Sequence, residues 1–190
     1  MSVNLLELVQ VKMAYPVLQK IDANTQEVII DEDTPDENRF SQSALTAVLT
    51  GLYVFSRKDE NAEKMLQKND ADSWVSTIFG ISGKEVVEKV ASYSFYTREN
   101  AEKKMNLIAE CAVEIIKENL PGEGTIIDIK GFLTAQRNII LSYLPAALQM
   151  GALLNDNTMD DRTHKMEGPI SSLMHSIGDG FSDGEVTKNE

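Results

Sequence analysis

The chain is poor in the residue types on which most catalytic and metal-binding motifs depend. It has one cysteine, Cys111, and two histidines, His164 and His175, among 190 residues. A single cysteine cannot form an internal disulfide and leaves no Cys-x-x-Cys pair for a metal ion, which suits a reducing compartment. The sequence also lacks a Gly-x-Ser-x-Gly elbow, a phosphate loop and a dinucleotide fingerprint. These absences exclude the enzyme classes that such motifs define and leave open an enzyme without a known motif.

Basic residues are scarce relative to acidic ones. The chain has 18 Lys and Arg against 30 Asp and Glu, for a net charge of -12. Such a charge repels phosphate backbones and anionic lipid, and no basic cluster interrupts it, so we predict no nucleic-acid partner and no membrane partner. The first residues lack a basic region, and Glu7 and Gln10 interrupt the apolar ones. We therefore expect no signal peptide and a cytoplasmic location.

Alternation of apolar and polar residues with period two, which marks strands, is nearly absent from this sequence. Only Glu27 to Ile30 approaches it, whereas apolar residues elsewhere recur every three or four positions, as from Leu45 to Phe55. The sequence therefore predicts an all-α fold. We expect a compact bundle of roughly seven to nine helices around a central apolar helix, with no sheet.

The stretch from Asn138 to Leu154 carries no charge and is rich in Ile, Leu and Ala. It is shorter than the roughly 20 apolar residues that a membrane span needs, so its composition favours a buried core helix. We predict that Leu141 to Leu154 forms the central element of the fold, bent or broken at Pro145, because proline lacks the N–H that a helix requires. Its expected covers are the faces that carry Leu49, Leu52, Ile108 and Ile115.

Helix starts and stops are marked by capping residues. The first helix is expected to carry an apolar stripe from Leu5 to Val17 and to bend or end at Pro16. Further starts are predicted at Asp59, Asp72, Ser82 with Glu85, Thr97, and Thr125 with Asp128, and stops at Gly80 and at residues 121–124. We expect a single all-α domain over residues 1–181, with an acidic loop at 31–37, followed by a disordered tail at 182–190.

Small-residue and leucine patterns along residues 45–120 resemble those of a known family. They are Ala44 to Leu52, Asn61 to Leu66, Ile78-Phe79-Gly80, Val90 to Ser94 and the helix that begins near Thr97. The opening Asn4 to Leu8 also looks like the start of such proteins. Residues 1–120 thus resemble the bacterial family of domain of unknown function 937, although Thr46 stands where that family tends to have proline. The resemblance implies an all-α fold and cytoplasmic placement for this part, and it implies no activity.

The nearest approach to a metal site is formed by Asp160, Asp161 and His164, at positions i, i+1 and i+4. Helical di-iron sites need Glu-x-x-His pairs, which this chain lacks. A capped, solvated helix start explains the three residues better than a metal site does. Cys111 lies on the apolar side of its helix and His175 lies beside another apolar face. We therefore predict no metal, no cofactor and no catalytic residue, with Cys111 and both histidines structural or incidental.

Two functions remain open at this point. The first is a non-catalytic helical module that binds a protein partner or itself. The second is a small-ligand-binding protein or unclassified enzyme, whose pocket between helices would be lined by Arg137, Tyr143 and the residues from Asp160 to His164. A deep pocket with convergent polar groups favours the second function, and a flat surface with exposed apolar residues favours the first.

Overall fold

The computed structural model describes residues 3–22, 24–31, 33–67 and 73–156, and within these ranges it contains helices and no strand. The predicted all-α fold is confirmed for this part of the chain, in which residues 27–30 are irregular. The α-helices are α1 (Leu5–Lys12), α2 (Asp36–Ser56), α3 (Asp59–Leu66), α4 (Trp74–Phe79), α5 (Gly83–Ser94), α6 (Arg98–Glu118), α7 (Ile126–Leu141) and α8 (Met150–Leu153), with 3-10 turns at Gly80–Ser82 and Ala146–Leu148.

The helix that most others contact is α2. It packs against α1 and against each of α3 to α7, and every residue from Phe40 to Leu52 is buried. No charged residue lies between Arg39 and Arg57. Because burying an unpaired charge is costly, this uncharged length is what allows neighbours to cover α2 on all sides.

Buried hydroxyl groups on α2 are satisfied within the helix itself. Ser43 donates to the carbonyl oxygen of Arg39 at 2.8 Å, and Thr46 donates to that of Gln42 at 2.6 Å. Serine and threonine in helices make such bonds to the preceding turn. Ser43 and Thr46 therefore enter the core with their hydrogen bonds made, which keeps the cost of their burial low.

The prediction that Leu141 to Leu154 forms the central element is wrong. Helix α7 ends at Leu141, and only a 3-10 turn and the four residues of α8 follow it. Pro145 interrupts the helix as expected, because its ring and missing N–H end regular hydrogen bonding. Part of the stretch is buried as its composition predicts, since Leu148 is only 1% exposed. The predicted covering residues are buried as well, but Leu49 and Leu52 lie on α2 itself, and Ile108 and Ile115 lie on α6, which packs against α2.

Among the predicted helix starts that the structure describes, two are confirmed and two differ. Thr97 caps α6, and Thr125 with Asp128 forms the predicted capping box of α7. Ser82 is different: its hydroxyl donates to the carbonyl of Leu153 at 2.8 Å instead of capping α5. The other difference is Asp59, which is the first residue of α3 and not its cap.

The first helix is shorter than predicted, since α1 ends at Lys12. Ala14 has a φ of 55°, in the left-handed region, so the helix has ended before Pro16 is reached. Val17, which was expected on the buried stripe, is 81% exposed. The described residues between Pro16 and the start of α2 at Asp36 are irregular.

The acidic loop is shorter than the predicted range 31–37. Asp36 and Glu37 belong to the first turn of α2, where carboxylates interact favourably with the helix dipole. Helix α4 ends at Gly80 as predicted, with Ser73 as its cap, while Asp72 lies outside the described residues. Residues 157–190, which include the predicted tail, also lie outside them, so the domain limit at 181 stays a prediction.

Candidate functional sites

The predicted metal candidates Asp160, Asp161 and His164, together with His175, lie outside the described residues. Within the described ranges, no group of three or more His, Cys, Asp or Glu side chains is placed to hold a metal ion. The structure therefore leaves the expectation about those three residues as a prediction.

Arg137 and Tyr143, predicted to line a pocket, lie at the end of α7 and just after it. Arg137 lines a shallow depression between α2 and α7, together with Thr50, Tyr53, Ile140 and Leu141. The roughly 140 Å³ of empty space in the depression includes open solvent, so the depression encloses no cavity of the size that holds a small-molecule ligand. Tyr143 is not part of its lining and instead offers its carbonyl oxygen to Gln42.

Thr50 is the polar exception in this depression. Its hydroxyl is buried and has no hydrogen-bond partner among the described residues, unlike those of Ser43 and Thr46 on the same helix. A buried hydroxyl without a partner costs about 1–3 kcal/mol. The depression is too small for that hydroxyl to mark a ligand pocket.

Cys111 is buried on α6, as its apolar neighbours predicted. Burial raises the pKa of its thiol, and the carboxylates of Glu114 and Glu118 act in the same direction, while the nearby Lys12 opposes them. Because the thiolate is the nucleophilic form, a raised pKa makes the sulfur less reactive at neutral pH.

Three aromatic rings surround the ammonium group of Lys104, which is half-buried on α6. Its Nζ lies 5.9 Å, 5.7 Å and 5.8 Å from the ring centroids of Tyr15, Phe40 and Tyr96. Phe40 and Tyr96 are stacked with their centroids 4.6 Å apart. An ammonium over a ring face is attracted by the ring quadrupole. This lysine cluster joins the segment after α1, the start of α2 and the α5–α6 connection.

Burial of the lysine cluster also shifts the pKa of its phenols. Partial burial raises the pKa of Tyr15 to about 12, with smaller contributions from Tyr96 and Glu37. Burial and the carboxylates of Glu37 and Asp36 raise the pKa of Tyr96. Both phenols therefore stay neutral over a wider pH range than free tyrosine does.

Phe95 adjoins this cluster in an unusual conformation. It ends α5 with a φ of 58°, in the left-handed region, and is 69% exposed. The guanidinium of Arg39 lies 5.1 Å from the centroid of its ring. A bulky side chain rarely adopts this backbone conformation, so Phe95 is locally strained. Its contact with Arg39 does not by itself indicate a catalytic role for Phe95.

Helix α1 is apolar on two opposite sides. Leu5, Leu6 and Val9 face the core and are buried. Leu8 and Val11 lie one turn apart on the outer side, where Val11 is 69% exposed. We call Leu8 and Val11 the outer face of α1. Glu7 and Lys12 on the same helix are exposed as well, so the outer face of α1 is a small apolar patch among polar residues.

Two buried glutamines each hold a stretch of irregular backbone. The carboxamide of Gln42 donates to the carbonyl of Gln19 and accepts from its N–H, both at 2.9 Å, and it also donates to the carbonyl of Tyr143 at 2.6 Å. Gln136 on α7 accepts from the N–H of Leu5 at 3.0 Å and donates to Val3 at 2.8 Å. Both carboxamides thus donate to and accept from backbone groups that lie far away along the chain.

Sequence reasoning did not find these features. A lone lysine and three aromatic residues far apart in the chain carry no spacing that predicts a cluster. The glutamines are different, because each interrupts an apolar helical face, and a polar residue at such a position is expected to be hydrogen-bonded when buried. That signal could have marked Gln42 and Gln136 but not their partners.

Comparison with protein-family models, with curated proteins and with solved structures finds no match to this chain. Among the described residues, no helix is both long enough and apolar enough to cross a membrane.

Proposed function

We propose that this chain is a non-catalytic helical module that binds a protein partner through the outer face of α1. The observation that carries the proposal is the exposure of Leu8 and Val11 on a helix whose opposite side is already buried. A partner that covers these two exposed side chains would remove their apolar area from water.

The charges around the outer face of α1 indicate the chemistry of that partner. Glu7 lies on α1 itself, and Glu114 and Glu118 lie on the adjoining α6, where both approach Lys12. The chain as a whole carries a net charge of -12. We therefore propose a partner surface that is apolar at its centre and basic at its rim, because complementary charge speeds encounter while a second acidic copy is repelled.

A position-specific photo-crosslinking experiment tests this proposal. A photoreactive residue replaces Val11 in the full chain, and a control chain carries it at Ile127, which is 80% exposed on α7. Both chains are irradiated in their own cells and the cross-linked peptides are identified by mass spectrometry. We expect a defined adduct from position 11 that is absent from position 127 and is lost in the variant Leu8→Ser.

The outcomes separate the occupants. A cross-linked peptide rich in Lys and Arg supports the proposed partner. An adduct of twice the chain mass would show self-association and overturn the proposed basic partner, and equal labelling from both positions would overturn the docking surface itself. The alternative, a small-ligand-binding protein or enzyme, gains no support from the depression beside Thr50, whose volume is too small.

We propose further that residues 1–120 share the fold of the family of domain of unknown function 937 and that the chain works in the cytoplasm. In support, Ala44 to Leu52 lie within α2, Asn61 to Leu66 lie within α3, and Gly80 ends α4. An experimental structure of a member of that family would test the first statement, and fluorescence microscopy of the tagged chain the second.

A further inference from the structure

The described irregular residues 16–22 and 24–31, which we call the strap, lie against the N-terminal half of α2. Ala23 lies outside the described residues. Leu18 is the one buried side chain in the described part of the strap, and most of its attachment is polar. The hydroxyl of Ser41 donates to the carbonyl of Pro16 at 3.1 Å, and the Gln42 carboxamide pairs with the backbone of Gln19. Segments with few apolar contacts open more readily than the core.

The strap is also bonded to the residues that follow α7. These residues, 142–149, are called the elbow. The N–H of Ile21 donates to the carbonyl of Ser142 at 3.0 Å, and the N–H of Ala146 donates to that of Gln26 at 3.0 Å. The carboxylate of Glu27 accepts from the N–H of Ala147. Strap and elbow thus satisfy each other's backbone groups, so neither can leave without unpairing the other.

Gln42 lies where the strap and the elbow meet. Its Nε2 donates to Gln19 of the strap and to Tyr143 of the elbow, while its Oε1 accepts from Gln19. It is 4% exposed and belongs to the central helix. We propose that the strap and the elbow form one conformational unit that opens and closes cooperatively over α2, with Gln42 as the shared latch.

Opening of this unit changes the surface of the protein. It exposes the surface against which Leu18 packs, together with the polar side chains of Ser41 and Gln42, which are otherwise buried. The unit lies apart from the residues on which the proposed partner site depends, since it uses neither Leu8 nor Val11. The two proposals can therefore fail separately.

Native-state hydrogen exchange of the full chain, followed by NMR in increasing urea, tests the coupling. The reporters are the amides of Gln19 and Ile21 in the strap and of Ala146 and Ala147 in the elbow, each hydrogen-bonded in the closed state. We expect all four to exchange with one opening free energy, below that of the Leu49 amide in α2. Two different opening free energies for strap and elbow, or one equal to that of Leu49, would overturn the proposal.

Matched variants identify the latch. Gln42→Leu should accelerate exchange at all four reporters on the order of tenfold or more, since it removes three hydrogen bonds. The control Gln136→Leu removes the other buried glutamine and should accelerate only the Leu5 amide, which Gln136 holds. Acceleration of Gln19 alone by Gln42→Leu would contradict a shared latch.

A milder variant covers the case in which Gln42→Leu does not fold. Ser41→Ala removes only the bond to Pro16, which lies in the strap. If the two segments open together, this change should accelerate the elbow amides by the same factor as the strap amides. Acceleration confined to the strap would show that the segments open independently.

Discussion

The stretches from Phe40 to Ser56 and from Asn138 to Leu154 are similar in sequence and different in structure. Both lack charged residues. The first is continuous helix within α2 and is almost wholly buried, whereas the second is divided among the end of α7, a 3-10 turn and α8. In the second stretch Ala146, Ala147 and Gln149 are exposed. A stretch without charged residues can therefore be buried. Whether it stays helical depends on its backbone, here on whether a proline interrupts it.

The physical difference lies in Pro145 and in the small residues of α2. Proline ends the hydrogen-bonded ladder of one stretch, while the hydroxyl residues of the other bond back to their own helix. Gly51 adds close packing, because the ring of Phe79 and the side chain of Ile78 occupy the space that a Cβ would need. Neighbouring helices can therefore approach α2 closely.

The largest expected effect separates the two stretches directly. Leu49→Asp places a carboxylate in the centre of α2 and should leave the chain unfolded, whereas Leu148→Asp should cost several kcal/mol, about 3 or more, and still allow helices to form. Both leucines are buried, but Leu148 lies in a short turn that can move outward. Circular dichroism with urea titration measures the difference. Near-normal stability of Leu148→Asp would contradict the burial argument.

A smaller effect tests the close packing of α2. Gly51→Ala would place a Cβ 2.4 Å from Cε1 of Phe79 and 2.8 Å from Cγ2 of Ile78, so we expect a loss of about 1–3 kcal/mol in unfolding free energy. The matched control is Gly131→Ala in α7, where nothing lies within 4 Å of the added atom. It should gain about 0.5–1 kcal/mol. Equal effects of the two changes would refute the packing argument.

The lysine cluster secures the N-terminal part of α2, and its removal should have a moderate effect. Lys104→Met keeps the apolar stem and removes the charge that lies over Tyr15, Phe40 and Tyr96. We expect a loss of about 1–2 kcal/mol. Lys103→Met, on the exposed side of the same helix, should stay within about 0.5 kcal/mol of the parent chain. Thermal unfolding of the two variants side by side decides the point.

Cys111→Ala should have a similar or smaller effect. The side chain is small and buried on α6, so its removal should cost about 1 kcal/mol and leave partner binding unchanged. Denaturant unfolding and the Val11 crosslinking assay measure the two properties. Loss of the crosslink in a stably folded Cys111→Ala chain would show that the thiol has a functional role.

The smallest effect concerns pH. Since folding raises the pKa of Tyr15 from 10.0 to about 12, the unfolded chain loses this proton first. The stabilising contribution is therefore complete below pH 10 and is lost as the pH rises through about 12. Tyr15→Phe should flatten part of the fall in stability over that range. An unchanged pH profile of unfolding would show that the Tyr15 phenol does not contribute.

Local sequence signals predicted the helical segments better than their arrangement. Thr125 with Asp128 and Thr97 were recognised as caps because capping depends on residues within one turn. Ser82 has the same local pattern, yet it bonds Leu153, which lies far along the chain. Ala14 ended the first helix without any residue type that predicts a left-handed conformation. Long-range partners and backbone conformations of this kind are not encoded in spacing.

The candidate sites also divide into features that local spacing predicts and features that only folding brings together. The burial of Cys111 followed from the apolar spacing around it, while the lysine cluster and the latch at Gln42 join segments that only folding brings together. By itself the sequence determined the helical class, because apolar residues recur with the helical period, and it determined that two uncharged stretches could be buried. Only the tertiary structure decided that α2 became the centre: burial is shared among all helices at once, and a stretch broken by proline presents less continuous surface for its neighbours to cover.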